Sequence, residues 1–269
     1  MAIVKGTVVM TGGFGNASFY TRRGSDKVIV RTKGGPSKQK IKTSPRFESV
    51  RLQQKEWKGC TGFASVLRYA FGGLHRLADY NLTPALNAFA KNLQKTDTEN
   101  PNGQRSICLS HLRYTLDNFN FNRQYPFNTV FRLMVSSAID RSEASGTVHI
   151  PRIIALNDIL NVQKLPYFRL IVSLGVMSDV KWDVAASEFR AVTPDIHGIS
   201  EVWTGEWCHT ESVTDEKTIK LQLTDDERPY FGNDASLILS MGIEFGKPGF
   251  TGETLPVKYA GCGRVLRVG

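Results

Sequence analysis

Apolar and polar positions change rhythm twice along the chain. Residues 3–33 read as short strands, Ile3–Met10, Ala17–Thr21 and Lys27–Lys33, separated by turn clusters at Thr11–Asn16 and Arg22–Asp26. In the third strand Val28 and Val30 share one face, and Lys27, Ile29, Arg31 and Lys33 share the other, which is mostly cationic. Residues 34–42 have no apolar periodicity and read as a basic linker or extended arm. The pattern then becomes helical. Ser44-Pro45 supplies a capping hydroxyl and a proline at the first helical position, and Glu48 puts an acid in the first turn. Phe47, Val50, Trp57, Ala64, Leu67 and Phe71 recur at helical spacing up to a stop at Gly72-Gly73. A second helical stretch restarts at Thr83-Pro84 with Leu86, Phe89 and Leu93 on one stripe.

Thr96–Arg105 is polar and turn-rich, and beyond it the rhythm is that of strands. Candidate strands cover 107–114, 128–137, 145–152, 166–175, 186–193, 199–209, 216–224, 235–246 and 257–268, with the last two expected to pair. The expected architecture is α+β: an N-terminal β-hairpin arm and linker over 1–43, a helical hairpin over 44–96, and an antiparallel β-sandwich over 106–269.

The charge is segregated. Residues 1–60 hold 13 Lys and Arg against 3 Asp and Glu, whereas residues 61–269 hold 21 against 22, so the net +9 belongs to the front segment. Such a stretch implies an acidic partner. Lys27, Arg31, Lys33, Lys38, Lys40, Lys42, Arg46 and Arg51 are therefore the candidate contact residues, either for a neighbouring subunit or for DNA or RNA, with the basic run extending through residues 27–58. The bland alternative is a solvated charged face. Asp225, Asp226 and Glu227, in an acidic turn, are the candidate acceptors if the partner is a second copy of the chain.

Motifs for catalysis are missing. The cluster Gly12-Gly13-Phe14-Gly15 lacks phosphate-loop spacing and reads as a hairpin turn. The five histidines form no metal-ligand pattern, and Cys208-His209 would point to opposite faces of a strand. There is no GxSxG or SxxK, and Cys60, Cys108, Cys208 and Cys262 read as free thiols. Trp203 and Trp207, four apart, would share one strand face, and with the acidic turn Asp215-Glu216 they leave a carbohydrate-binding module or hydrolase as a third reading. No cofactor, metal or small-molecule substrate is indicated. Neither an apolar run of about 18 residues nor a secretory leader is visible, so no membrane insertion and cytoplasmic synthesis are expected.

Two stretches carry a resemblance. One runs from Gly15-Asn16 through Arg31, Lys33 and Pro36 to Ile41-Lys42-Thr43-Ser44-Pro45-Arg46-Phe47-Glu48; the other runs from Leu109-Ser110-His111 through Phe119 and Phe121 to Pro126-Phe127. Both resemble a Bacteroidetes-type bacterial protein family of unknown function, in which a short hairpin, a basic segment and helices precede a β domain. The resemblance implies a bacterial protein and no catalytic residue. The leading expectation is a non-enzymatic structural subunit that self-associates, into rings, tubes or filaments, through its basic arm.

Overall fold

The computed structural model describes residues 2–4, 11–21, 27–32, 34–250 and 252–269. The fold is α+β, and the chain forms two compact units, Met1–Arg51 and Leu52–Gly269.

In the first unit, β1 (Ala2–Val4), β2 (Gly12–Phe14), β3 (Ala17–Thr21) and β4 (Val28–Thr32) make an antiparallel sheet in the order β1-β4-β3-β2. The glycine cluster does form a hairpin: β2 pairs with β3 across Gly15-Asn16, with Gly15 at φ 52°, a left-handed conformation that glycine adopts freely. The rest of the expected Ile3–Met10 strand and Lys33 lie outside the described residues. Ile29, expected on the cationic face of its strand, is buried along with Val28. The expected basic linker is partly helical: α1 spans Lys38–Thr43, started by Ser37, whose Oγ accepts the Lys40 N–H at 3.2 Å. None of its residues is buried, so it has no apolar stripe by which the sequence could announce it. A 3₁₀ turn at Pro45–Phe47 leads into α2 (Glu48–Ala70); Pro45 takes the first position as expected, but the Ser44 side chain makes no cap hydrogen bond.

In the second unit, α2 and α3 (Thr83–Lys95) precede the strands β5 (Ser136–Asp140), β6 (Ser145–Ile150), β7 (Ile153–Ile154), β8 (Tyr167–Ser178), β9 (Val180–Asp183), β10 (Glu188–Ala191), β11 (Ser200–Thr204), β12 (Cys208–His209), β13 (Val213–Thr214), β14 (Lys217–Gln222), β15 (Ala235–Pro248), β16 (Thr254–Pro256) and β17 (Cys262–Val268). The long strands β8 and β15 pair along Tyr167–Ser178 and Ala235–Gly246. β11 and β12 follow one another along the free edge of β8, and β17 and β16 do the same along β15, so six segments make a sheet four strands wide. The expected pairing of the last two strands is present, although β17 begins only at Cys262. A three-stranded sheet, β14-β6-β5, faces this one, and the β9–β10 and β7–β13 pairs flank them. All these pairings are antiparallel.

Three expected strands are corrected. Residues 107–114 make only a bridge at Ile107 to Val180 before a 3₁₀ turn at Arg113–Leu116, because buried Asp179 takes both the N–H and the hydroxyl of Ser110 (3.0 and 2.5 Å) and draws the chain inward. Residues 127–130 are a helical turn closed on the Pro126 carbonyl, and strand starts at Ser136. The 199–209 segment breaks after Thr204, where the Gly205 N–H still bonds the Leu170 carbonyl.

The two sides of the central sheet do different jobs. Val172, Leu174 and Val176 of β8, and Leu237, Leu239 and Met241 of β15, pack against Val148, Ile150 and Ile219 of the facing sheet. The alternate positions face the helices. There the register sets Ser173 opposite Ser240, Gly175 opposite Ile238 and Ile171 opposite Gly242. These small residues let the end of α2 lie on the sheet. A Cβ on Gly175 would sit 1.7 Å from the Ala70 carbonyl oxygen, one on Gly72 would be 2.6 Å from Ser173 Cβ, and the Ser173 hydroxyl donates to the Phe71 carbonyl at 3.1 Å. Phe71 then stacks into Phe119 and Phe121, at 6.3 and 4.8 Å between ring centroids. The helices and the β region therefore share one core rather than owning two.

A buried carboxylate ties the two helices together. Glu56 of α2 is 1% exposed and accepts from Lys91 Nζ of α3 (2.7 Å), from Arg105 Nε and Nη2 (2.7 and 2.6 Å) and from the Gly103 N–H (2.8 Å). Burial alone would raise its pKa, but these hydrogen bonds outweigh it and hold the carboxyl at about 2, below the ordinary 4.5. Gln94 completes the group by accepting from Lys91 (2.8 Å) and donating to the Arg105 carbonyl (3.0 Å).

Two consequences are measurable. Gly175→Ala should lower the unfolding free energy by about 3 kcal/mol in a denaturant titration, because the added methyl meets backbone that cannot step aside. Gly232→Ala, where a Cβ meets nothing within 4 Å, should stay within about 0.5 kcal/mol of wild type. Glu56→Gln should cost about 3 kcal/mol near neutral pH. Because the folded carboxyl titrates below the unfolded one, its contribution is present above pH 4.5 and is lost as pH falls toward about 2. The gap between wild type and variant, read by thermal melts, should therefore close across that window.

Candidate functional sites

The basic segment is sorted by its surroundings in the first unit. On α1, Lys38 and Lys42 are one helical turn apart and Lys40 lies away from them. All three are exposed, as is Arg46 in the following turn, and none of the four has an acidic partner among the described residues. No Asp or Glu occurs between residues 27 and 47. Arg31 extends from β4 over the Tyr20 ring, 5.5 Å from its centroid. Arg51 has a different role: its Nη1 donates to the Ile41 and Ser44 carbonyls at 2.7 and 2.9 Å, closing the C-terminal end of α1. Lys27 has an interaction partner within the chain. The structure thus gathers Lys38, Lys40, Lys42 and Arg46 into one accessible cationic segment.

The acidic turn sits after β14 in the second unit. Asp225 has a 91% exposed side chain, 3.4 Å from Arg228 Nη1. Asp226 is exposed, and Glu227 accepts the Thr224 N–H at 3.0 Å to form the turn itself. Two carboxylates therefore remain open to a partner, and Glu227 is partly engaged.

Trp203 and Trp207 do not form a common platform. Breaking the strand at Gly205 sends Trp203 onto the core between the two sheets, while Trp207 stacks on the Arg169 guanidinium at 4.3 Å. Arg169 in turn bonds buried Glu244 through Nε (2.8 Å) and Nη2 (2.6 Å), and Arg76 Nε reaches the same carboxylate at 3.3 Å. Trp203, Phe168 and Leu170 lie at the bottom of a groove of about 500 Å³ between the sheets, with Glu206, Asp215, Glu216 and Lys217 exposed around it. The Lys217 ammonium lies 5.0 Å from the Trp203 ring centroid.

A second groove, of about 340 Å³, runs between α2 and the β9–β10 hairpin. Helix positions 55, 58, 59, 62, 63 and 66 share one face and make its first wall; Val180, Trp182, Phe189 and Ala191 make the other. Lys55 Nζ is 3.3 Å from the Trp182 ring centroid, and Trp182 packs edge-on against Phe189 at 5.1 Å. His197 also lines this groove. Burial lowers its pKa below the ordinary 6.5, and its Nδ1 accepts the Ser178 N–H at 3.2 Å, so the neutral ring carries its proton on Nε2. Sequence reasoning missed this place. Its one local signal is a pair of glycines, Gly59 and Gly62, inside a helical pattern.

Among the described residues, no three His, Cys, Asp or Glu side chains gather as metal ligands, no helix is long and apolar enough to cross a membrane, and Cys60, Cys108, Cys208 and Cys262 are free thiols. Comparison with known proteins finds no matching family, no matching curated protein and no matching solved structure.

Proposed function

We propose that the chain is a non-enzymatic structural subunit that associates with further copies of itself through its basic N-terminal unit. The observation that carries this reading is the run of exposed cations Lys38, Lys40, Lys42 and Arg46, which have no acidic partner among the described residues. A surface of like charges repels itself and is relieved by an anionic partner.

Two further features support it. Among the residues of the first unit whose burial is described, Val28 and Ile29 are the buried apolar ones. Among the described residues β2 is an edge strand of its sheet, and its Phe14 has 82% of its surface exposed. An open edge with an exposed aromatic is suited to adding a strand or an apolar contact from a neighbour. Exposed ion pairs are worth about 0.2–1 kcal/mol each, so charge would steer the contact and apolar burial would hold it. Asp225 and Asp226 are the acceptors this reading favours, because both point into solvent.

The test is a charge swap in the full chain, read by mass photometry and sedimentation. Wild type should assemble, and assembly should weaken as salt rises. Lys38→Glu/Lys40→Glu/Lys42→Glu should abolish it, Asp225→Lys/Asp226→Lys should abolish it, and the two sets combined should restore it. A monomeric wild type, or assembly indifferent to both sets, overturns the proposal. Salt-dependent retention on DNA or RNA that the lysine set removes, with no assembly to rescue, would move the function to nucleic-acid binding.

A further inference from the structure

We propose that the groove between α2 and the β9–β10 hairpin is a binding site for a small organic anion with a flat apolar body, of which an aromatic carboxylate is the simplest kind.

The first argument is a glycine that the fold does not need. Two glycines sit in the middle of α2, where glycine lowers helix stability relative to alanine. Gly59 is accounted for: a Cβ there would come within 2.8 Å of the Phe189 ring, so the helix and hairpin can meet only without a side chain. Gly62 has no such reason. Its backbone is ordinary helix, and a Cβ there meets nothing within 4 Å. It nevertheless lines the groove, on the helix face that carries Phe63 and Val66. Any larger side chain at this position would extend into the empty volume. What the absent side chain preserves is the space itself.

The second argument is the character of the walls. Phe63 and Val180 are buried, and Val66, Phe189 and Ala191 are partly buried, so the interior is apolar. Lys55 is positioned at the groove by its contact with Trp182. Lys58 is exposed and has no acidic partner among the described residues. The one carboxylate in the lining, Glu188, is bound to Arg190 at 2.7 Å. Two ammonium groups beside an apolar slot select a ligand with an anionic head and a flat apolar remainder. His197 adds a neutral Nε2–H donor, its other nitrogen being taken by Ser178. A volume of about 340 Å³ holds one or two fused rings and not a folded partner.

The full chain is titrated with 1-anilinonaphthalene-8-sulfonate, whose fluorescence rises in an apolar site, and bound probe is then competed with indole-3-acetate or with its neutral analogue tryptophol. Saturable one-site binding is expected, with the carboxylate displacing the probe about tenfold better than the alcohol. Gly62→Leu, whose Cβ starts in open space at the groove, should weaken probe and carboxylate by about tenfold or more while its Tm stays level or rises. If that variant melts lower, Lys58→Glu carries the test, since this side chain is exposed and has no acidic partner among the described residues; it should weaken indole-3-acetate and leave tryptophol unchanged. Wild-type affinity in both variants, equal competition by acid and alcohol, or no saturable binding overturns the proposal.

Discussion

The second unit depends on how closely one helix end approaches one sheet. Ala70 lies against β8 at a distance that Gly175 permits, the Phe71 carbonyl accepts from Ser173, and Gly242 of β15 makes the same kind of room for Leu74 and Leu77 just beyond. This contact fixes the level at which α2 leaves the sheet. It turns Phe71 into the aromatic cluster with Phe119 and Phe121, and through Gly72 and Gly73, both at positive φ, it starts the reversal toward α3. The sheet answers with asymmetry: large aliphatic side chains line the side toward the three-stranded sheet, while the side toward the helices sets small residues beside Ile171, Met177 and Ile238. A larger side chain in that row would move backbone rather than a rotamer, and close-packed interiors yield poorly to such a change.

The same unit keeps its buried charge in closed groups. Glu56 is shared by Lys91 and Arg105, and Glu244 by Arg76 and Arg169. These two carboxylates each have two cations from different parts of the chain, so the groups act as clamps between α2, α3, the following loop and the central strands, whereas buried Asp179 is held by Ser110 instead. A carboxylate left in such a place with one partner missing would be strongly destabilising, which makes these clamps all-or-nothing. The cations of the first unit are held differently. Arg51 is bound to backbone carbonyls, whereas Lys38, Lys40, Lys42 and Arg46 are exposed and have no acidic partner among the described residues. One part of the chain has settled its electrostatics internally; the other presents them outward.

How much of this was readable in the sequence follows from where each feature gets its energy. The strands β8 and β15 were legible because burial on both faces writes a continuous apolar run. α2 was legible because its proline start and glycine stop are local, although Ser44 does not cap it through its side chain and Val50 and Trp57 of the expected stripe are exposed. α1 was not, since it buries nothing and rests on one serine hydroxyl and one arginine. The broken edge at Gly205 and the bend at Ser110 were also hidden, because both are set by partners far away in sequence, the Leu170 carbonyl and Asp179. The basic run was visible as composition, yet composition could not separate Arg51, which closes a helix, from its exposed neighbours. The α2–hairpin groove was invisible for a related reason: its lysines and its aromatic wall are brought together only by the fold.

The two mid-helix glycines show how structure adds what pattern alone cannot. In sequence, Gly59 and Gly62 are equal blemishes in a helical stripe. In space one lies against a phenylalanine ring and the other faces empty volume. Packing explains the first completely and leaves the second without any cause inside the chain. A residue that weakens its own helix and relieves no contact is best understood through something outside the polypeptide. The same logic applies to the lysines of α1, which are exposed and have no acidic partner among the described residues. Both features are deficits of the isolated molecule, one of volume and one of charge. They are independent, since one lies in each unit, and they call for different complements: a small anion for the slot, and an acidic macromolecular surface for the arm.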